Sequence, residues 1–292
     1  FEPPIDSSDV EPSLWQKLAC LIKDKYDDYD GFIILHGTDT MAYSASALSF
    51  MLDGLTKPVI FTGSQLPIGV PRTDGRENLI SAVEIASAKD ENGNPAVPEV
   101  CVCFASLLMR GNRSTKVNSE GFRAFQSPNF PPLAEAGINI RYNNEYIRKP
   151  NDWLQNLSIN TNLDTRVSIL KIHPGITPQV VRNILCGEET RAVIMETYGS
   201  GNAPSGKWFL DILEEAKAMD KIVVNVTQCL AGTVNMNLYA TGKHLEESGV
   251  IDGNDLTTES ALAKLFYLMG KSLDNAWVRA MMGRNLKGEI SK

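Results

Sequence analysis

Between Gly31 and Met41 the chain runs Gly-Phe-Ile-Ile-Leu-His-Gly-Thr-Asp-Thr-Met, and this stretch limits the possible folds more than any other. Phe32 to Leu35 is an apolar run of the length expected for a strand buried on both faces. His36-Gly37-Thr38-Asp39-Thr40 breaks the run with small and polar residues, and Met41 to Leu55 then reads as a helix. A strand that ends in hydroxyls and a carboxylate at the start of a helix is where open α/β sheets bind ligands. A helix cap needs only one such residue. Three polar residues after a glycine exceed that need, so at this point both a cap and a site remain open.

The same alternation recurs along the chain. Pro12 suits the first turn of a helix, and Leu14, Trp15, Leu18, Leu21 and Ile22 give that helix an apolar stripe. Pro58 to Phe61 reads as a strand, Glu77 to Lys89 as a helix with Leu79, Ile80, Val83 and Ile85 inward, and Val100 to Phe104 as a strand. Residues from about Ser127 to Asn162 are rich in Pro and Asn and read as a linker and domain boundary. Alternation resumes with strands at Val167–Ile172, Ala192–Met195 and Ile222–Val226. The helices expected beside them are Gln179–Leu185, Trp208–Ala218, Glu259–Leu268 and Asn275–Met282. Apolar strands alternating with helices predict an α/β chain with a larger N-terminal doubly wound parallel sheet domain and a smaller C-terminal α/β domain. The expected boundaries are residues 1–145, a linker at 146–165, and 166–292.

Composition narrows the function. A net charge of -7 leaves no basic footprint for nucleic acid or an anionic membrane. No apolar run is long enough to span a bilayer, so a small-molecule partner is expected. Cys20, Cys101, Cys103, Cys186 and Cys229 are odd in number and scattered, which fits a reducing compartment better than a disulfide framework. Cys101 and Cys103 share one face of a strand, where packing is the expected role. His36, His173 and His244 lack ligand spacing, so no zinc site is expected.

Two further segments carry candidate chemistry. In Asp6-Ser7-Ser8-Asp9, two hydroxyls sit between two carboxylates. They are either simple turn residues or a grip on a zwitterion, with Asp accepting from an α-ammonium and Ser donating to an α-carboxylate. Arg110 to Lys116, Arg-Gly-Asn-Arg-Ser-Thr-Lys, holds three positive charges. It is either a solvated turn or, since it follows a strand's carboxyl end, the source of a lysine for Thr38 and Asp39. Neighbouring groups would then set that lysine's proton affinity.

Taken in order, these segments resemble a known family. Gly31 to Met41 is similar to the second signature of the bacterial-type L-asparaginases, and the type I cytoplasmic branch in particular. The likeness continues through Asp6-Ser7-Ser8-Asp9, Thr62-Gly63-Ser64-Gln65, Asp74-Gly75 with Asn78-Leu79, and Arg110-Gly111-Asn112-Arg113. It extends to Tyr198-Gly199 with Gly201-Asn202-Ala203-Pro204, and to Thr227-Gln228-Cys229. The resemblance implies hydrolysis of L-asparagine to L-aspartate and ammonia through a threonine ester, without metal or cofactor. Thr38, Asp39 and Lys116 match the family's catalytic set, and Asp6, Ser7 and Ser8 match its α-amino and α-carboxylate binding segment, with Thr38 and Asp39 also touching substrate. A homodimer or homotetramer in the cytoplasm is implied as well. The alternatives that the family leaves open are a non-catalytic amino-acid-binding relative and the ammonia-releasing subunit of a tRNA-dependent amidotransferase.

Two departures from the family pattern matter. The other family signature, Thr-Gly-Gly-Thr, carries the first catalytic threonine, and no Gly-Gly pair occurs in the 292 residues. The strand and loop that hold it are therefore expected ahead of Phe1. Type I relatives can also bind asparagine at a second, activating site near the positions of Thr115, Glu196 and Cys229. An arginine stands in the place of Glu196 in one relative, and a carboxylate there would repel the effector's α-carboxylate.

Overall fold

The computed structural model describes residues 4–236 and 240–291, which fall into two compact units, one up to Thr161 and one from Asn162. The part of the Pro-rich opening at residues 1–3, ahead of Asp6, lies outside the described residues.

The first unit opens with a 3-10 turn, Ser7–Asp9, and helix α1 (Pro12–Asp24). Strand β1 (Phe32–Leu35), helix α2 (Met41–Met51), strands β2 (Leu52–Asp53) and β3 (Val59–Thr62), helix α3 (Gly75–Ser87) and strand β4 (Val100–Phe104) follow. Then come β5 (Leu107–Arg110), β6 (Thr115–Lys116), β7 (Phe125–Gln126), β8 (Ala134–Ala136), β9 (Ile140–Tyr142) and β10 (Ser158–Ile159). The main sheet has the order β1-β3-β4-β5-β8-β9. Its first three strands are parallel and the rest are added antiparallel, β4–β5 and β8–β9 through short turns and β8 beside β5 after the longer excursion that contains β6 and β7. The hairpin between β4 and β5 turns on Ala105 and Ser106, both left-handed at φ 49° and 68°. Strand alternation sends Ile60, Cys101 and Cys103 to the face that α3 covers with Ala82, Ile85 and Ala86. Helix α2 packs on β4.

The second unit is a four-stranded parallel sheet in the order β11 (Val167–Lys171), β12 (Ala192–Thr197), β13 (Ile222–Thr227) and β14 (Ile251–Asp252). Near-continuous apolar runs in β12 and β13 match strands buried on both faces. Helices α4 (Pro178–Leu185) and α5 (Lys207–Ala218) bury Val181, Leu185, Phe209, Ile212 and Leu213 against Leu170, Val193, Met195 and Val223. Helices α6 (Ala240–Glu247), α7 (Thr258–Lys271) and α8 (Asn275–Met282) complete the unit, and α7 packs on β11 and β12. The α/β class with a larger N-terminal and a smaller C-terminal unit is thus observed.

Several local readings change. The helix expected over Met41–Leu55 stops at Met51, because Leu52–Asp53 pairs antiparallel with β10 and Gly54 turns the chain at φ +75°. In α3, Ile80 and Val83 are 52% and 49% exposed rather than core. The buried polar Asn78 claims the inner face, beside Ala82, Ile85 and Ala86, and this rotates the apolar pair outward. Leu21 is half exposed for a similar reason: Ala19, with Leu18 and Ile22, faces inward in α1. The segment from Ser127 to Asn162, read as a linker, instead supplies β8, β9 and β10. Cys101 and Cys103 are buried, and burial pushes both thiols up, Cys103 to about 12. Among the described residues no helix is long and apolar enough to cross a membrane.

Candidate active site

Parallel pairing of β1 with β3 brings two strand ends level. The His36 N–H donates to the Thr62 carbonyl at 2.9 Å, and beyond it the two chains nearly touch. A Cβ on Gly63 would lie 2.2 Å from the His36 carbonyl oxygen, so only glycine fits there. The His36 ring then fixes the next peptide. Its Nδ1 lies 2.7 Å from the Gly37 carbonyl, which can only accept, so Nδ1 carries the proton. Nε2 therefore accepts from Ser44 Oγ at 2.9 Å, and Ser44 Oγ accepts from Trp15 Nε1 at 2.8 Å. The chain of donors holds the imidazole neutral, and burial pulls its pKa below the ordinary 6.5.

Thr38, Asp39 and Thr40 occupy the gap before α2, and their hydroxyls do not cap it. Thr40 is the N-cap residue, yet its side chain makes no cap bond. Its Oγ1 donates instead to the Ser7 carbonyl at 2.6 Å, and the Asp39 N–H donates to Ser7 Oγ at 3.3 Å. Gly37 permits this contact, since a Cβ there would stand 2.5 Å from Ser7 Oγ. The Asp6-Ser7-Ser8 segment is thereby docked on the Thr38-Asp39 loop. Within it, Asp6 Oδ1 accepts from the Ser8 N–H at 2.9 Å and from Ser8 Oγ at 2.8 Å. Those two donors, the backbone one first, lower the Asp6 pKa although the side chain is fully exposed.

Lys116 arrives from a third segment. Its Nζ donates to Thr38 Oγ1 at 2.8 Å and to Asp39 Oδ1 at 2.6 Å. The lysine side chain is 21% exposed and the aspartate 61%, so the pair sits at the mouth of the loop with one carboxylate oxygen still available. The run from Arg110 to Lys116 is no solvated turn: Arg110, Gly111, Asn112, Arg113 and Ser114 are all buried.

Sequence reasoning singled out Asp74 and Asn78 only within the resemblance; here they hold the ends of β3 and β4 together. The Asp74 carboxylate accepts from the Gln65 and Leu66 N–H groups, and Asn78 Nδ2 donates to it and to the Gly63 carbonyl. Asn78 Oδ1 accepts from the Ala105 N–H. A buried Asn four residues after an Asp at a helix start was the available signal.

Of the three residues expected at a second site, one belongs to the first unit and two to the second. Thr115 lies beside Lys116 on β6, paired with Gln126. Glu196 and Cys229 belong to the second unit. The Glu196 carboxylate accepts from Thr258 Oγ1 at 2.7 Å and faces Lys171 Nζ at 3.6 Å. Cys229 is exposed, and its N–H donates to Thr227 Oγ1. Among the described residues no group of three or more His, Cys, Asp or Glu side chains could hold a metal.

Comparison with known proteins matches this geometry to a family. Family models for the N-terminal domain of asparaginase and the C-terminal domain of glutaminase/asparaginase match residues 1–148 and 166–282. The chain is 48% identical over 291 residues to L-asparaginase 1 of Escherichia coli K12, spanning 100% of this chain and 83% of that protein. It is 43% identical over 293 residues to the 60 kDa lysophospholipase of Homo sapiens, spanning 99% of this chain and 49% of that protein. The crystal structure of L-asparaginase I from Vibrio cholerae matches at TM-score 0.91 and 45% identity, covering 100% of this chain and 85% of that one. The chain belongs to the asparaginase family.

Proposed function

We propose that this protein hydrolyses L-asparagine to L-aspartate and ammonia. The contact of Lys116 Nζ with both Thr38 Oγ1 and Asp39 Oδ1 carries the reading, and family membership supports it. In this arrangement Asp39 holds the ammonium of Lys116 against Thr38. As the amine, Lys116 Nζ is placed to take a proton from the Thr38 hydroxyl or from a water hydrogen-bonded to it. A threonine oxygen attacks the side-chain amide carbon, the C–N bond breaks, and ammonia leaves with a proton relayed by Lys116. Water then cleaves the ester and restores the hydroxyl. The exposed face of Asp39 and the Asp6-Ser7-Ser8 turn suit the substrate's α-ammonium and α-carboxylate. A pocket that pairs every polar group of its ligand discriminates against analogues lacking one.

The reading includes a homodimer or homotetramer in the cytoplasm. All five cysteines are free, which supports a reducing compartment. Lys116→Met in the full-length protein should reduce ammonia release from L-asparagine by about 10²–10⁴-fold with an unchanged circular dichroism spectrum. A loss of kcat smaller than roughly tenfold would remove Lys116 from the chemistry.

A further inference from the structure

The strand that delivers Lys116 is too slight to hold it. β6 spans Thr115–Lys116 and pairs with the two residues of β7 as a separate two-stranded sheet, which the Val117 N–H extends by one bond to the Ala124 carbonyl at 2.8 Å. An isolated ladder of that size is marginal on its own, whereas an acid–base group must be held to about 0.5 Å. The segment ahead of β6 is built to fix the backbone further. The preceding 3-10 turn, Gly111–Arg113, is wholly buried, and Arg113 is 2% exposed, among the largest fully buried side chains.

The Arg113 guanidinium stands 5.0 Å from the centroid of the Phe130 ring, and the Arg110 guanidinium stands 4.5 Å from the same ring. Aromatic faces attract guanidinium groups, most strongly where water is excluded. The ring is itself anchored. Phe130 meets Tyr146 edge-on at 5.6 Å and packs against the core cluster that includes Leu133 and Ala134. Arg110 is tied to Glu99 through two nitrogens, at 2.6 and 3.1 Å, and donates to the Tyr146 carbonyl at 2.7 Å. Gly111 lies so near α2 and β4 that a Cβ would be 3.1 Å from the Ala45 Cβ and 3.0 Å from the Val100 carbonyl. The turn is thus pinned on both sides, three residues before the lysine.

We infer that Arg113 and Phe130 are positioning residues for Lys116: the buried guanidinium lodged against the ring fixes the backbone from which Nζ reaches Thr38 and Asp39. The inference rests on the role proposed for Lys116. It concerns the chemical step rather than substrate capture, because the Asp6–Ser8 turn and the Thr38–Asp39 loop are held by other contacts.

The test compares Arg113→Lys, Arg113→Met and Phe130→Leu in the full-length protein, reading kcat and KM for L-asparagine and the melting temperature. A displacement of about 1 Å at a reacting group can lower the rate roughly 10²-fold. Arg113→Met and Phe130→Leu should therefore lower kcat by at least about tenfold with KM near the wild-type value, and Arg113→Lys should recover most of the loss. If Arg113→Met does not fold, Phe130→Leu against Phe130→Tyr gives the same comparison, with tyrosine retaining the rate. Wild-type kcat in the folded variants overturns the inference. So does a pattern in which kcat and melting temperature fall, KM rises, and lysine is no better than methionine. Absence of asparagine hydrolysis by the unmodified protein would instead count against the proposed activity, whatever the variants do.

Discussion

Replacing Gly37 by alanine tests how the Asp6–Ser8 turn is seated on the Thr38–Asp39 loop. The added Cβ would lie 2.5 Å from Ser7 Oγ and 2.7 Å from Ser7 Cβ. Carbon contacts are comfortable from about 3.5 Å, so one of the two segments must retreat by about 1 Å. Ser7 is buried and sits in the 3-10 turn that Asp6 caps, so the Asp6–Ser8 turn moves as a unit. That movement strains the bonds from Thr40 Oγ1 and the Asp39 N–H to Ser7. Overpacking of this kind costs about 1–3 kcal/mol, and each hydrogen bond lost adds about 1 kcal/mol. With one of the two bonds lost, a total of about 2–4 kcal/mol is shared between stability and binding, where each 1.4 kcal/mol is roughly tenfold. Gly37→Ala should raise KM for L-asparagine by at least about tenfold and lower the melting temperature. Ser7→Gly removes both clashing atoms. In a double-mutant cycle read by urea unfolding, the pair should therefore be less destabilised than the sum of the single changes by at least about 1 kcal/mol. Strict additivity, or an alanine variant with wild-type KM and melting temperature, would refute the close seating of Ser7 on Gly37.

Three other outcomes are expected. Lys264 and Glu289 form an ion pair at 2.6 Å with both side chains fully buried; Lys264→Met leaves the carboxylate uncompensated and should lower the unfolding free energy by about 3–5 kcal/mol, whereas Lys264→Met with Glu289→Leu should recover much of it. Burial depresses the His36 pKa, so the folded chain binds this proton more weakly than the unfolded chain does. Its contribution to stability is full above the unfolded value near 6.5 and is lost as pH falls through the lowered folded value, and His36→Gln should flatten that part of a stability-against-pH curve. For regulation, the Glu196 carboxylate is held by Thr258 and faces Lys171; if a second asparagine site needs a cation at this position, the effector's carboxylate meets an anion instead. The initial-rate curve should be hyperbolic and become sigmoidal in Glu196→Arg, and a Hill coefficient clearly above one in the unmodified protein would contradict this.

The parts of the fold legible in the sequence were those whose apolar pattern had one interpretation. β4 and the runs of β12 and β13 are buried on both faces, and α8 lies at Asn275–Met282 as its pattern indicates; β1 forms where its apolar run predicts a strand, but it stands at the edge of the described sheet, only partly buried, with Leu35 68% exposed. The pattern misled where a polar side chain took the inner face. Asn78 is inside because it serves the Gly63 carbonyl and the Ala105 N–H, and no periodicity rule anticipates Ile80 and Val83 turned outward for that reason. The short strands β2, β6, β7, β8, β9 and β10 were illegible because two or three residues carry no period; their pairing partners alone define them. At the candidate site, Thr38 and Asp39 stand out in the sequence as polar residues at a strand end, and Ser7 as one of two hydroxyls between carboxylates; the structure places Ser7 against Asp39. The burial of Arg110 and Arg113 was not legible, since a charged run normally faces water and contacts such as the Phe130 ring and Glu99 reverse that expectation.

The site is also a measure of how the chain comes together in time. Its hydrogen bonds join residues far apart in sequence: Ser7 to Asp39 across 32 positions, Thr38 to Lys116 across 78. Closing such loops is entropically unfavourable and is rewarded only when the intervening strands are already paired. Helices α1, α2 and α3 can begin to form locally, within about a microsecond, yet none of them brings Thr38 to Lys116. Recovery of catalysis during refolding should therefore trail recovery of helical signal.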